Sequence, residues 1–320
     1  RQKAESKKTG SESTFQVEEL SLDQVRFISE NKQNNKLFYF EVVRLKAAIQ
    51  HEGDDWHSKV FIDTKVKSMA FNTQKGSFAT NKPIKGTILV NYSGQENKIK
   101  ANVARLEIGD DEFNVSSYFN LGKNNSTFEI VIKTQILWRN ASNLLARNIS
   151  SRLNWFNLEK PLAVSCAING DLKKDGDPKI VVTAVIKNDK LQSPGGLLTD
   201  CSFNGKFTNN FKEGLGFNDA NSAVLLNDFS AKYKKIPFVI PEGRILNFDK
   251  PMAKGILNSD FDVRSLNDII GENLIRFHGG KAKVNLNFEF DIIDVYLRKP
   301  RYTGRIRVKN MSSNYVAKRL

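Results

Sequence analysis

The sequence predicts a mainly β chain with two short helices and antiparallel strands that have one wet and one apolar face, arranged either as a long curved sheet forming an open groove or as a closed β-sandwich. Three observations carry this. The stretch Lys281–Phe290 (KAKVNLNFEF) alternates strictly, with Ala282, Val284, Leu286, Phe288 and Phe290 on one side and Lys281, Lys283, Asn285, Asn287 and Glu289 on the other. Side chains of a strand point to opposite faces with period two, so such a strand belongs to an antiparallel sheet with one wet face and one apolar face. Clusters of Gly, Asn and Asp recur between runs rich in β-branched and aromatic residues, which is the punctuation of a meander. Only two stretches of the chain change to a helical period.

Taken in order, residues 1–13 (RQKAESKKTGSES) are polar and aperiodic and are expected to be a disordered tail. Strands are expected at Phe15–Leu20, Gln24–Ser29 and Leu37–Gln50, with a turn at NKQNN. A tip at EGDD leads into Trp56–Phe71, where Val60 and Ile62 share a face with Thr64 and Val66 against Lys59, Phe61, Asp63 and Lys65. Turns at TQKGS, SGQEN, GDDE and GKNNS then divide further strands as far as Lys133. In Ile136–Phe156 the residues Trp138, Ala141, Leu145, Ile149, Leu153 and Phe156 recur at three- and four-residue steps, predicting a helix over 138–156 that packs on the sheet.

Strands resume at Leu162–Ile168, where Leu162, Val164, Cys166 and Ile168 share a face, and at Lys179–Lys187. More follow at Cys201–Thr208, Ala223–Tyr233, Pro237–Ile240 and Gly255–Val263. A second helix is expected over 266–277, opened by Ser265 as N-cap and closed by Gly279 and Gly280. The opening strand and a last one through Tyr302–Val308 complete the chain, which divides into β-rich regions at 14–200 and 201–320.

Composition narrows the function classes. Forty per cent apolar and 26% charged residues suit a folded chain, and no apolar run is long enough to span a bilayer. The chain begins at Arg1 with no leader, so it reads as a piece of a longer protein. Basic residues exceed acidic ones by 14, and after Asp294 there are only basic charges: Arg298, Lys299, Arg301, Arg305, Arg307, Lys309, Lys318 and Arg319. Such a block either suits anionic headgroups or guards a solvated edge strand, as Pro300 would also do. No zinc-finger spacing, glycine–aromatic motif or basic helix points to nucleic acid.

Cys166 and Cys201 both fall on apolar faces, as two free core thiols or as one disulfide. HEGDDWH (His51–His57) reads as a hairpin tip and not as a metal site. DLKKDGDP fails the calcium-loop pattern, and GLGF lacks the surroundings of a PDZ loop. With three histidines and no acid–base–nucleophile set, the chain is expected to be no enzyme, with no catalytic residues, metal or cofactor.

Four segments taken together resemble a known family: Ser202–Asn209 (SFNGKFTN), Ile236–Val263 (IPFVIPEGRILNFDKPMAKGILNSDFDV), Ser265–Ile292 and Gly304–Asn310 (GRIRVKN). Their order is similar to the periplasmic region of AsmA-like proteins of the Bacteroidetes type, which are related to TamB and to the bridge-like lipid carriers. The resemblance implies a periplasmic β-groove on a parent protein anchored in the inner membrane, conducting phospholipid or another acyl-chain lipid in support of outer-membrane biogenesis, with outer-membrane assembly proteins as partners. The groove candidates are then Ala282, Val284, Leu286, Phe288, Phe290, Leu162, Val164, Ile168, Val60 and Ile62, and the headgroup candidates Arg298, Lys299, Arg301, Arg305 and Arg307. Alternation alone fits a closed β-sandwich for adhesion, carbohydrate or protein binding equally well.

Overall fold

A computed structural model describes residues 16–33, 35–122, 126–172, 177–270, 274–292 and 300–315. Sixteen strands form one sheet. In chain order they are β1 (Glu19–Asn31), β2 (Lys36–Glu52), β3 (Asp55–Ala70), β4 (Pro83–Ser93), β5 (Lys98–Ile108), β6 (Asp111–Leu121), β7 (Ser126–Ile136), β8 (Asn157–Leu158), β9 (Leu162–Asp171), β10 (Lys179–Ser193), β11 (Gly196–Thr208), β12 (Ala223–Tyr233), β13 (Ile236–Leu246), β14 (Met252–Asp262), β15 (Ile275–Asp291) and β16 (Arg301–Tyr315). Every strand except β8 pairs with its sequence neighbours, all antiparallel, and β8 adds a short rung beside β10. Local turns can join such strands without crossovers, which is why the meander is legible from turn spacing. The fourteen steps of this ladder at about 4.8 Å each make an arc of roughly 65–70 Å.

The sheet is a single layer. Among the described residues the buried apolar residues gather in one cluster, Cys201, Phe229 and Ala231, flanked by partly buried Leu191, Leu198, Phe203, Leu226, Phe238 and Ile240, while others such as Val66, Ile136 and Leu158 are buried singly. A sandwich of this size would bury two interdigitating faces, so the closed β-sandwich alternative is not what the chain builds. The sheet is open, with β1 and β16 as its edges.

Both helical expectations need correction. The periodic stretch 138–156 forms two one-turn-and-more pieces, α1 (Trp138–Leu144) and α2 (Arg147–Leu153), separated by Leu145 and Ala146 in extended conformation. At the break the Leu144 carbonyl accepts from the backbone N–H of Ala79 in the β3–β4 loop, so a tertiary partner replaces the next intrahelical bond. The expected helix over 266–277 is a 3-10 turn, Val263–Asp268, capped by Asp262 through the Arg264 N–H and not by Ser265. Residues 275–277 are already strand: the Phe277 N–H donates to Asn267 Oδ1 and Asn267 Nδ2 donates to the Phe277 carbonyl, both at 2.9 Å. The division expected at 200/201 falls inside β11, so the sheet continues across it. The expected tail, residues 1–13, lies outside the described residues.

Candidate functional site: one apolar face across the whole sheet

Cα-paired residues of an antiparallel sheet lie on the same face, and residues two apart on one strand do too. One face can therefore be followed from edge to edge. Leu20 pairs with Ala47, Ala47 with Val60 and Val60 with Ile88. Two residues along β4, Val90 pairs with Ala101, and the row continues through Ser117, Ile130, Ile168 and Ile180. From Val182 it passes to Phe207, Val224, Ile245, Ala253 and Phe290. Phe288 then faces Tyr302, and Val284 faces Ile306, on the last strand. One serine interrupts the row.

All ten groove candidates lie on this face. Val60, Ile168 and Phe290 are on the row itself, and Ile62, Val164, Leu162, Phe288, Leu286, Val284 and Ala282 lie at even spacing from it. Leu162 and Ala282 are buried and the other eight are half-buried, while Lys281, Lys283, Asn285 and Asn287 on the opposite face of β15 are exposed. Half-burial is what a bare concave face gives. Neighbouring side chains lean together there, and the described residues form no second sheet over them.

Two devices make the curvature. Residues with positive φ interrupt the strands at Asn188 in β10 (46°), Asp200 in β11 (53°) and Asp228 in β12 (54°), next to breaks in pairing register. Each inserts a residue and bends its strand, as β-bulges do. Asn and Asp tolerate the left-handed region better than other side chains. Beside these bulges sits the one buried cluster, where Phe203, Phe229 and Phe238 stack with ring centroids 5.3 and 5.9 Å apart.

The second device is glycine beneath an aromatic. A Cβ on Gly255 would lie 2.7 Å from Phe288 Cζ, and one on Gly170 would lie 2.5 Å from Phe128 Cε1. Those rings lie across the glycines of their partner strands, the aromatic rescue used in strongly bent sheets. Both pairs are on the apolar face, where curvature crowds side chains.

Opposite ends of the sheet meet through Lys75 in the β3–β4 loop. Its Nζ lies 3.0 Å from Asp219 before β12 and 4.0 Å from Asp177 before β10. In strand direction these loops belong to opposite ends. Twist of about 20–25° per strand, accumulated over the six steps from β4 to β11, is on the order of 120–150° and brings them round to each other. Beside Lys75, Gly76 packs on the backbone of Arg147, so α2 is held in the same place. Neither turn chemistry nor periodicity announces this clasp.

The basic candidates separate. Arg301, Arg305 and Arg307 stand on the polar face of β16 with Lys309, since their partners on β15 are Glu289, Asn285, Lys283 and Lys281. Arg298 and Lys299 lie outside the described residues. The possible disulfide is not formed: Cys166 and Cys201 are both free, on β9 and β11 with β10 between them. Burial pushes the Cys166 thiol up to about 11, and burial followed by the nearby Asp189 charge pushes Cys201 up to about 12. Both thiols therefore keep their protons at neutral pH, where the protonated form is the poorer nucleophile.

No group of three or more potential metal ligands occurs among the described residues. His51 Nε2 meets the Val17 carbonyl and His57 Nε2 meets Gln50, each in a hairpin. His278 sits within β15 and not at a helix end. A shallow pocket at the β2–β3 tip, beside Trp56 stacked on Tyr92 at 5.6 Å, is lined mainly by polar and charged groups. Among the described residues no helix is long and apolar enough to cross a membrane. Comparison with known protein families, curated proteins and solved structures finds no match.

Proposed function

We propose that this chain is a lipid-conducting trough of the AsmA-like type, a periplasmic module of a parent protein anchored in the inner membrane that supports outer-membrane biogenesis. The observation that supports it is the apolar face of a single sheet, followed from Leu20 to Ile306 with one serine in the row, with one small buried cluster and no second sheet among the described residues. An acyl chain lying on this face would transfer hydrocarbon out of water at about 0.8 kcal/mol per CH₂. Conduction then needs no covalent chemistry. A polar headgroup stays at the rim while the tail slides from strand to strand, and no catalytic group, metal or cofactor enters. Arg301, Arg305 and Arg307 on the polar face supply charge for anionic headgroups. Outer-membrane assembly proteins are the partners this reading calls for; nucleic acid is not among them.

The test is organic extraction and native mass spectrometry of the purified chain. Phospholipid is expected to co-purify, and a paired substitution in the middle of the row, Ile130→Asp with Ile168→Asp, is expected to remove it while the β circular-dichroism spectrum persists. A chain that carries no lipid and takes none from phosphatidylethanolamine–phosphatidylglycerol vesicles would defeat the proposal.

A further inference from the structure

We propose that the helical insert between β7 and β9 is a docking site for an anionic phospholipid surface, and that it seats one rim of the trough on a membrane. This goes beyond lipid conduction and does not rest on it. Residues 137–161 are the longest stretch between neighbouring strands of the ladder, and they leave the sheet where its apolar face reaches the rim: Ile136 on β7 pairs with Leu162 on β9, and both are buried. A helix on a sheet ordinarily hides its apolar stripe against it. Between Leu137 and Phe156, among the described side chains, only Ser142 and Ala146 are buried, while Trp138, Leu144, Leu145, Ile149, Leu153 and Phe156 stay half-exposed. Leu137 is 42% exposed and Trp155 50%.

The insert is braced from within and from both sides. Trp138 Nε1 donates to the Leu153 carbonyl at 2.9 Å, Arg139 to the Asn154 carbonyl at 3.3 Å, and Ser142 Oγ to Asn154 Oδ1 at 2.7 Å, so α1 and α2 hold each other. Asn140 Nδ2 donates to Asp111 in the β5–β6 turn at 3.1 Å, and the Ala79 N–H of the β3–β4 loop donates to the Leu144 carbonyl at 2.8 Å. Trp155 and Leu137 are therefore presented on a backbone that is already ordered, which lowers the entropic cost of docking.

Charge complementarity names the occupant. From Leu137 to Leu158 the sequence carries Arg139, Arg147 and Arg152 and no acid. All three arginines are exposed, and among the described residues none makes an ion pair. Acids on the elements around the insert are matched by other bases: Glu112 by Arg105 at 2.5 Å, Glu159 by Lys190 at 3.2 Å, and Asp177 and Asp219 by Lys75. Lys82 packs on Gly109 beside Asp110 and Asp111, and Asp189 accepts from the Lys160 N–H. Counting those groups with the three arginines, five bases face three acids. Arginine stems cover apolar surface while their guanidinium groups stay among headgroups, and tryptophan settles at the same depth. Acid-free arginines interleaved with exposed Trp and Leu are the chemistry of a helix lying on anionic lipid.

Flotation of the full chain with phosphatidylglycerol–phosphatidylcholine vesicles tests the docking, while organic extraction of the purified chain reads the trough separately. The wild type is expected to float with the mixed vesicles, to float far less with phosphatidylcholine alone, and to be released by high salt. R139Q/R152Q is expected to weaken partition about 25-fold, about fivefold for each surface charge removed, with its extracted lipid unchanged. Ile130→Asp with Ile168→Asp is expected to float as the wild type does, whatever the trough holds. Brominated acyl chains in the mixed vesicles are expected to quench the wild-type tryptophan fluorescence more than that of Trp155→Phe. Circular dichroism checks that each variant keeps the sheet. A wild type that fails to float with the mixed vesicles, or floats equally with phosphatidylcholine alone, overturns the proposal. So does flotation that R139Q/R152Q leaves unchanged, which places the contact on another basic surface such as β16, or quenching that does not depend on Trp155.

Discussion

Replacing Gly255 by alanine tests whether the aromatic face is as crowded as the curvature requires. The new Cβ would lie 2.7 Å from Phe288 Cζ, 3.0 Å from its Cε1 and 3.2 Å from the Glu242 carbonyl oxygen. Real Cβ atoms do not approach a ring so closely, so the Phe288 ring must swing away, toward the Phe290 ring whose centroid is 5.8 Å distant. Overpacking of this kind costs about 1–3 kcal/mol, against a gain of about 0.5–1 kcal/mol for removing glycine from a strand interior. The net expectation is a local destabilisation of up to about 2.5 kcal/mol between β14 and β15, centred near about 1 kcal/mol. In the background of Phe288→Ala the clash with the ring is gone, so the same Gly255→Ala change is expected to turn neutral or stabilising. Because each strand of a single-layer sheet is held mainly by its neighbours, the chain is expected to open in sections and not in one step. Native-state hydrogen exchange at the β14–β15 amides is therefore the proper assay. If Gly255→Ala has the same effect with and without the Phe288 ring, Phe288 does not lie over Gly255 and the account of the curvature fails.

Three further expectations can be checked together. Ellman's reagent at pH 8 should find Cys166 and Cys201 unreactive in the folded chain and both reactive in urea, since their thiols titrate at about 11 and about 12 and not at the usual 9.0. The same raised values make the neutral thiols a source of stability that is complete below pH 9 and is lost as pH climbs toward those values, visible as a falling melting temperature in alkali. Asp262 works in the opposite sense: the Arg264 side chain, then its backbone N–H, hold its carboxyl at about 2 against the ordinary 3.8, so its contribution is present above pH 3.8 and vanishes as pH falls through about 2. The melting temperatures of wild type and Asp262→Asn should therefore converge at that acid limit. Lys75→Ala should cost no more than about 1 kcal/mol, because its ion pairs are about two-fifths exposed, and should raise hydrogen exchange in the β3–β4 loop and around Asp219.

Strands and their facing were legible because period two is a local property. Once Val60, Ile168 and Val284 had been placed on apolar faces, consecutive hairpin pairing was enough to bring them onto one face. What stayed hidden was non-local. The stretch Trp138–Phe156 keeps a helical period to its end, yet the Ala79 N–H and Gly76, some seventy residues earlier, enter at Leu144–Arg147 and divide it. Leu266–Phe277 has helix-compatible spacing and a plausible cap, but pairing of Ile275 and Phe277 with Tyr315 and Ser313 claims its second half for the sheet. The choice between an open sheet and a sandwich was undecidable from alternation, because an apolar face looks the same in sequence whether protein or something else is to cover it. The bulges at Asn188, Asp200 and Asp228 left a trace, an Asn or Asp interrupting each strand's alternation, which reads as a turn until the pairing on both sides is known.

The clasp made by Lys75 sets a scale for the molecule. Six steps of twist bring opposite ends of the sheet alongside each other, so the ladder behaves as a coil whose pitch is fixed by the mean twist per strand and whose length is fixed by how many hairpins are written into the gene. Each additional hairpin lengthens the path by about 10 Å and turns it by about 40–50°, while asking nothing of strands elsewhere, as in repeat arrays whose units touch only their neighbours. Duplication or loss of a hairpin is then a change of reach and not of fold.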